Sequence, residues 1–171
     1  LLSCYIGLQA LINADSEQSC LLTLNDHEEV GSQSDVGARS NMLSNFLERV
    51  LPDMSDRHQT IASSMLFSVD NAHGVHPNYK NKHDQSHGPL INEGPVIKMN
   101  ANQSYATSSI TDGLTRLLGD EDQIALQSVG GRSDRGGGST IGPMTAAQIG
   151  RGRVQTRPRR PTPIGSVPKG P

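Results

Sequence analysis

Short apolar runs alternate along this chain with segments of helical periodicity. Four runs have the length and composition of buried strands, and turn-forming or polar residues bound each of them. They lie at 20–24, 63–70, 94–100 and 124–129. Because strands that alternate with helices form parallel sheets with helices on their faces, the sequence predicts an α/β fold with a mostly parallel sheet flanked by helices.

Segments outside these runs predict four helices. Leucine and isoleucine recur at helical spacing in 1–12, and the sequence MTAAQI suggests a short last helix at 144–149. A third helix is predicted for 34–51, with Ser34 and Asp35 as N-caps and Pro52 as its stop. A fourth is predicted for 107–119, with Gly119 as the stop.

Composition limits how large the core can be. Only 33% of the 171 residues are hydrophobic and 3% are aromatic, which indicates either a domain with long loops or a fragment of a larger protein. The chain also lacks an initial Met, as a partial sequence would. No apolar run reaches the roughly 20 residues that span a bilayer, so no membrane partner is expected. The two cysteines, Cys4 and Cys20, have no metal-ligand spacing and predict reduced thiols and a cytoplasmic protein.

The last 21 residues differ from the rest of the chain. They contain six basic residues, no acidic residue and five of the ten prolines. Such a segment cannot bury a core, so the sequence divides into a folded part at 1–150 and a disordered basic tail at 151–171. No aromatic residue lies among the arginines, and a nucleic-acid partner is therefore not expected.

Acidic residues follow two of the predicted strands. The stretch NDHEE, at 25–29, comes directly after LLTL, and Asp70 closes MLFSVD. Since ligands bind beyond the carboxyl ends of parallel strands, these groups are candidates for one site. Four histidines follow at 73–87, and carboxylates with imidazoles suit zinc, manganese or cobalt. A solvated polar loop with hydrogen-bonded histidines is an equally good reading of this composition.

The adjacent pair Glu28 and Glu29 adds a chemical possibility. Neighbouring residues at a strand end cannot point the same way, so one carboxylate could bind a metal while the other takes a proton from a metal-bound water. Taken alone, the pair is better explained as two exposed acids in a turn.

Three long motifs together resemble the aspartyl aminopeptidases, a family of dinuclear zinc aminopeptidases. They are NDHEEVGSQSDVGA, SVDNAHGVHPNYKNKHDQSHGPLINEGPVIKMNANQSYAT and GRSDRGGGSTIGP. The resemblance covers about residues 1–150 and implies the zinc-peptidase-like catalytic domain of that family. It also implies release of N-terminal acidic residues from peptides, two zinc ions per complete site, and a homo-oligomer for the full-length protein.

The resemblance also assigns roles to individual residues. Glu28 resembles the catalytic base, Glu29 a ligand of one metal and Asp70 a ligand of the other. The expected substrate-binding residues are His73, His76, Lys98, Tyr105, Asp134 and Gly136. Lys98 is similar to the residue that approaches the acidic side chain of the substrate, and Asp134 and Gly136 lie in the glycine-rich loop beside the site. Asp26, His27, His83 and His87 are not expected to be ligands.

The same resemblance implies metal ligands that this sequence does not contain. The family takes an earlier histidine, a bridging aspartate of a Leu-Asp-Asn motif that would precede Leu1, and a later histidine after STIGP. After Gly150 the sequence matches nothing in the family and reads like a frame change or an unrelated tail. The alternative to an active aminopeptidase is therefore a catalytically inactive fragment or subunit.

Overall fold

A computed structural model describes residues 1–15, 17–84, 86–130 and 138–150. The described elements include five α-helices, which are α1 (Leu2–Ile12), α2 (Met42–Val50), α3 (Met54–Ala62), α4 (Ser109–Glu121) and α5 (Gly142–Ile149). Strands β1 (Val96–Met99) and β2 (Gln127–Gly130) complete the α/β arrangement, and single 3-10 segments lie at Glu28–Val30 and Pro77–Lys82. The predicted tail at 151–171 lies outside the described residues.

Strands β1 and β2 pair in parallel, with Val96 opposite Gln127 and Met99 opposite Gly130. Helix α4 connects them, as parallel pairing requires. This unit confirms the predicted α/β class and places the carboxyl ends of both strands at one edge. It also confirms the strands expected within 94–100 and near 124–129.

The predicted strands at 20–24 and 63–70 are wrong, because neither segment has strand structure. A strand exists only through its ladder of hydrogen bonds to a neighbour, and no such ladder reaches these segments within the described ranges. At the start of the second segment, the hydroxyls of Ser63 and Ser64 instead bond to carbonyls in the last turn of α3.

Helix α2 begins at Met42 with Asn41 as its N-cap, and not at the predicted N-caps Ser34 and Asp35. Turns occupy the intervening residues, in which Gly37 N donates to Ser34 O at 3.2 Å and Arg39 N donates to Ser32 O at 3.1 Å. The helix ends at Val50 ahead of Pro52, as expected. Helix α3 was not predicted, although the side chain of Asp53 caps it by accepting from Asp56 N at 2.9 Å.

The predicted stop at Gly119 is also wrong, because α4 continues to Glu121. The left-handed residue that ends the helix is Gln123, with φ of 57°. Ile124 N donates to Gly119 O at 2.7 Å and Gln123 N donates to Asp120 O at 3.2 Å, which is the Schellman pattern with Gln in the position that glycine usually takes. Gly119 is needed for packing, since a Cβ there would lie 2.6 Å from Leu126 Cδ1.

The described residues bury few apolar side chains. Ala38 is the buried hydrophobic residue among them, at 6% exposure. Helix α1 is apolar around its circumference, and Leu2, Tyr5 and Ile12 are each at least 60% exposed. No helix in the described ranges is long and apolar enough to cross a membrane. Local hydrogen bonding in loops therefore contributes much of the order around the candidate site.

Candidate active site

Residues 25–40 form a tightly hydrogen-bonded loop, here called the glutamate loop. His27, Gly31 and Ser32 have φ values of 56°, 98° and 60°, so the chain reverses direction around the 3-10 turn Glu28–Val30. Ser32 N donates to His27 O at 2.9 Å, which closes this reversal. Backbone geometry thus fixes where the side chain of Glu28 begins.

The polar neighbours of Glu28 in this loop bond within it. Asp26 Oδ1 accepts from His27 N at 2.7 Å, and His27 Nδ1 lies 2.7 Å from Ser34 Oγ. Glu29 is exposed. The two adjacent glutamates therefore have different surroundings, as a division of roles between them requires.

The Glu28 carboxylate is held by a residue distant in sequence. Thr140 Oγ1 donates to Glu28 Oε1 at 3.0 Å, and Thr140 N lies 3.4 Å from the same oxygen. Behind Thr140, the hydroxyl of Ser32 lies 2.9 Å from Thr140 Oγ1. Ser32 is fully buried at 0% exposure. Its contact with Thr140 is therefore shielded from solvent.

Asp70, Lys98 and Tyr105 come together beside strand β1. Lys98 Nζ forms an ion pair with Asp70 Oδ2 at 3.1 Å and donates to Asn71 O at 2.6 Å. The same ammonium lies 5.9 Å from the centre of the Tyr105 ring, within the range of a cation–π contact. Thr107 Oγ1 donates to Lys98 O at 2.7 Å and holds the backbone at this position.

Residues 138–142, here called the junction segment, connect these two groups. Thr140 contacts Glu28, and Ser139 N donates to Ser104 O at 3.0 Å, next to Tyr105. At its other end a Cβ on Gly142 would lie 2.8 Å from Ser68 Cβ, two residues before Asp70. The junction segment thus brings the glutamate loop, the Asp70 segment and the residues after β1 to one place.

The histidines are not gathered into this group. His73 and His76 are exposed. His76 Nδ1 accepts from Asn78 N at 3.1 Å, and its ring centre lies 5.2 Å from that of Tyr79. His87 Nδ1 lies 2.8 Å from Asp84 Oδ1. Asp134 and Gly136 lie outside the described residues.

Whether zinc suits these residues can be judged from their donor atoms. Glu29 and Asp70 offer carboxylate oxygens, which are accepted zinc ligands. Within the described ranges, however, no three His, Cys, Asp or Glu side chains are grouped closely enough to hold a metal ion. The chemistry of the donors fits zinc, but their number falls short of the four ligands that zinc usually takes.

Sequence reasoning missed Ser32 and Thr140 as parts of the site. Serine and threonine carry no titratable group that would mark them, and both lie inside motifs that also contain glutamates and glycines. The sequence signal for Thr140 is its position in the STIGP stretch, which follows the glycine-rich loop.

Comparisons with known proteins bear on this site. The family model for aminopeptidase I zinc metalloproteases (M18) matches residues 1–155. A probable M18 family aminopeptidase 2 of Pseudomonas entomophila strain L48 is 57% identical over 150 residues, which cover 88% of this chain and 35% of that protein. The chain thus spans about a third of the length of the curated relatives it matches.

Solved structures agree with this match. A chain in the cryo-EM structure of the Ape4 and Nbr1 complex is 37% identical, with a TM-score of 0.77, and the match covers 86% of this chain and 30% of that one. The S. cerevisiae mApe1 dodecamer is 27% identical, with a TM-score of 0.67, covering 86% and 34%. With nearly its whole length matched by the family model, this chain belongs to the M18 family of aminopeptidase I zinc metalloproteases.

Proposed function

We propose that this chain carries part of the active site of a zinc aminopeptidase that releases N-terminal Asp or Glu from peptides. The observation that supports this most is the junction segment, which contacts the Glu28 carboxylate through Thr140 and reaches the Asp70 and Tyr105 segments. Membership of the M18 family supplies the reaction class. The motif resemblance supplies the preference for acidic residues.

Glu28 is the proposed general base. Thr140 holds Oε1 at 3.0 Å, and Oε2 receives no hydrogen bond from the described residues. In the proposed reaction Oε2 takes a proton from the attacking water and later delivers it to the departing amine. Zinc, when bound, would lower the pKa of water and polarise the scissile carbonyl.

Lys98 is the proposed determinant of acidic specificity. Its side chain is 19% exposed, so an ammonium there is partly shielded from water and interacts more strongly with a carboxylate. Its ammonium lies 3.1 Å from Asp70 Oδ2, so an acidic substrate side chain would share or replace that contact. An acidic substrate side chain would form the same kind of charge-assisted contact.

The other assignments follow from the resemblance. Glu29 and Asp70 are proposed as ligands of two different zinc ions, with further ligands supplied from outside the described residues. The proposed substrate contacts are His73, His76, Tyr105, Asp134 and Gly136. We also propose a cytoplasmic location, from the two cysteines expected to be reduced, and a homo-oligomer, for which the support is the dodecamer named for a solved relative and the apolar surface of α1.

The test uses this chain completed to full length with the flanking sequence of the Pseudomonas entomophila relative. Purified with zinc, the protein is assayed on peptides that differ only in an N-terminal Asp, Glu or Leu. Glu28→Gln is expected to lower kcat by at least about 100-fold, while Glu93→Gln, an exposed glutamate, leaves it unchanged. Full activity in Glu28→Gln would refute the role of Glu28.

Specificity is tested separately on the same peptides. Lys98→Met keeps most of the length of the side chain but removes its charge, and is expected to reduce the preference for Asp over Leu by about 10-fold or more. Lys80→Met, at an exposed lysine, is the matched control. An unchanged preference in Lys98→Met would remove Lys98 from the specificity site without affecting the case for Glu28.

The second candidate is that the 171-residue chain by itself is not catalytic. Its support is the absence, within the described ranges, of any group of three potential metal-binding side chains. Metal analysis after dialysis distinguishes the two candidates. We expect less than one tightly bound zinc per isolated chain, whereas two per chain would contradict this candidate.

A further inference from the structure

We infer that Thr140, supported by the buried Ser32, is the residue that positions the carboxylate of Glu28. Thr140 Oγ1 lies 3.0 Å from Glu28 Oε1 and 3.1 Å from Glu28 O. It thus contacts both the side chain and the backbone of the glutamate. The inference rests on the proposed role of Glu28 as general base, and it concerns how that base is aimed.

The number of hydroxyl protons sets the direction of this network. Thr140 Oγ1 has one proton, yet it lies within hydrogen-bond distance of Glu28 and, at 2.9 Å, of Ser32 Oγ. Ser32 is at 0% exposure, so its hydroxyl cannot turn to water, and its one described side-chain partner is Thr140. Ser32 therefore donates to Thr140, and Thr140 donates to Glu28.

Of the two Glu28 oxygens near Thr140, the ionised carboxylate is the stronger acceptor. The Thr140 proton therefore goes to Oε1, with the amide at 3.4 Å as a weaker second donor. A carboxylate fixed through one oxygen cannot rotate freely, and its other oxygen keeps a defined direction. General-base catalysis depends on such placement, because a misplacement of about 1 Å costs up to about 100-fold in rate.

Thr140 differs in this respect from other threonines of similar burial. Thr115 is also partly buried, but its Oγ1 donates to the carbonyl of Thr111 within helix α4, at 2.7 Å. Removing the hydroxyl of Thr115 deletes a hydrogen bond of similar length without touching a carboxylate. Thr115→Val is therefore a matched control for Thr140→Val, since valine keeps the shape of threonine in both.

The test is steady-state kinetics of the completed protein with an Asp-peptide. Thr140→Val is expected to lower kcat by about 10- to 100-fold, with KM within about threefold, because the base is misaimed while substrate contacts remain. Thr140→Ser keeps the hydroxyl and is expected to restore kcat to within about threefold of wild type. Ser32→Ala removes only the donor behind Thr140 and is expected to give a smaller fall, about three- to tenfold.

Double variants separate positioning from a general loss of structure. If Thr140 acts only through Glu28, Glu28→Gln combined with Thr140→Val will be no slower than Glu28→Gln alone, since residues that act as a unit are not additive. A further 10-fold loss in the double variant would overturn the inference. So would a kcat for Thr140→Val within about twofold of wild type.

The outcomes distinguish this inference from the proposed function. A completed wild-type protein without aminopeptidase activity would refute the proposed function, and the inference with it. An active wild type with an inactive Glu28→Gln but a fully active Thr140→Val would refute the inference alone. If Thr140→Val does not fold, Ser32→Ala decides, because an unchanged kcat there overturns the network.

Discussion

One methyl group added at Gly37 should displace residues of the candidate site. Gly37 is buried in the glutamate loop, and a Cβ at this residue would lie 2.5 Å from Ser32 O and 2.6 Å from Ser32 C. Both atoms belong to the backbone, so no side-chain rotation can relieve the contact. Gly37→Ala must therefore displace either its own turn or Ser32.

The size of the displacement follows from these distances. Ordinary van der Waals contact to a Cβ begins at 3.4 Å, so the oxygen has to withdraw by nearly 1 Å. Ser32 Oγ holds Thr140 at 2.9 Å, and Thr140 holds Glu28 at 3.0 Å. A shift of that size breaks one of these bonds. Loss of the Ser32 bond alone is expected to cost about threefold to tenfold and loss of the Glu28 bond up to about 100-fold, so we expect kcat to fall by about three- to 100-fold, or ~0.6–2.7 kcal/mol.

The assay is kcat of the completed protein on an Asp-peptide, with zinc content measured in parallel. Gly113→Ala is the control, because its Cβ would meet nothing within 4 Å and the residue lies inside α4. Alanine in a helix interior is about 0.5–1 kcal/mol more favourable than glycine, so this variant should be at least as stable as wild type, with unchanged kcat. A wild-type kcat in Gly37→Ala would show that Ser32 does not transmit the strain to Glu28.

Two other predictions concern the strand crossover and the histidine-rich stretch. Gly94→Ala places a Cβ 2.0 Å from the carbonyl oxygen of Ala125 at a φ of +97°, and should destabilise the protein by more than about 2 kcal/mol, seen as a lower Tm. The His87 ring and the Ser86 amide bond to Asp84 and hold the pKa of that carboxyl below its ordinary value. The stabilisation is therefore present above the ordinary carboxyl pKa and is lost as pH falls through the lower folded-state pKa. The protection of the Ser86 and His87 amides against hydrogen exchange, relative to their intrinsic rates, should fall over that range, and should be low at every pH in Asp84→Ala, which removes the acceptor oxygen.

Local periodicity predicted the helices better than the isolated strands. Helices satisfy their own backbone groups, so α1, α4 and α5 could be recognised from segments of the sequence alone. The apolar runs at 20–24 and 63–70 carry the composition of strands but lack ladder partners within the described residues. The composition of a segment indicates that it suits a sheet. Whether it forms a strand depends on a neighbouring strand, which the sequence of the segment does not specify.

The end of α4 shows a different limit. Glycine at a helix end predicts a left-handed stop, but Gly119 is helical and packs closely on Leu126. The stop is Gln123, with φ of 57°. A glycine can be needed for its conformational freedom or for its lack of a side chain. The sequence alone does not distinguish these two reasons. Only the position of Leu126 shows which one applies here.

The candidate site was predictable for its charged members and not for the groups that orient them. The resemblance named Asp70, Lys98 and Tyr105 as site residues, and in the structure Lys98 lies 3.1 Å from Asp70 and 5.9 Å from the centre of the Tyr105 ring. Glu28 and Thr140 are separated by 112 residues, and a neutral hydroxyl leaves no mark in composition or charge.

The chemistry proposed for Glu28 nevertheless depends on that hydroxyl as well as on the glutamate. A carboxylate next to another carboxylate, on an exposed turn, has many orientations of similar energy. The bond from Thr140 selects one of them, and the burial of Ser32 fixes the direction of that bond. The function proposed for the glutamate loop therefore requires residues 138–142 to be packed against it, and a variant that loosens this packing should reduce kcat while leaving the glutamates themselves intact.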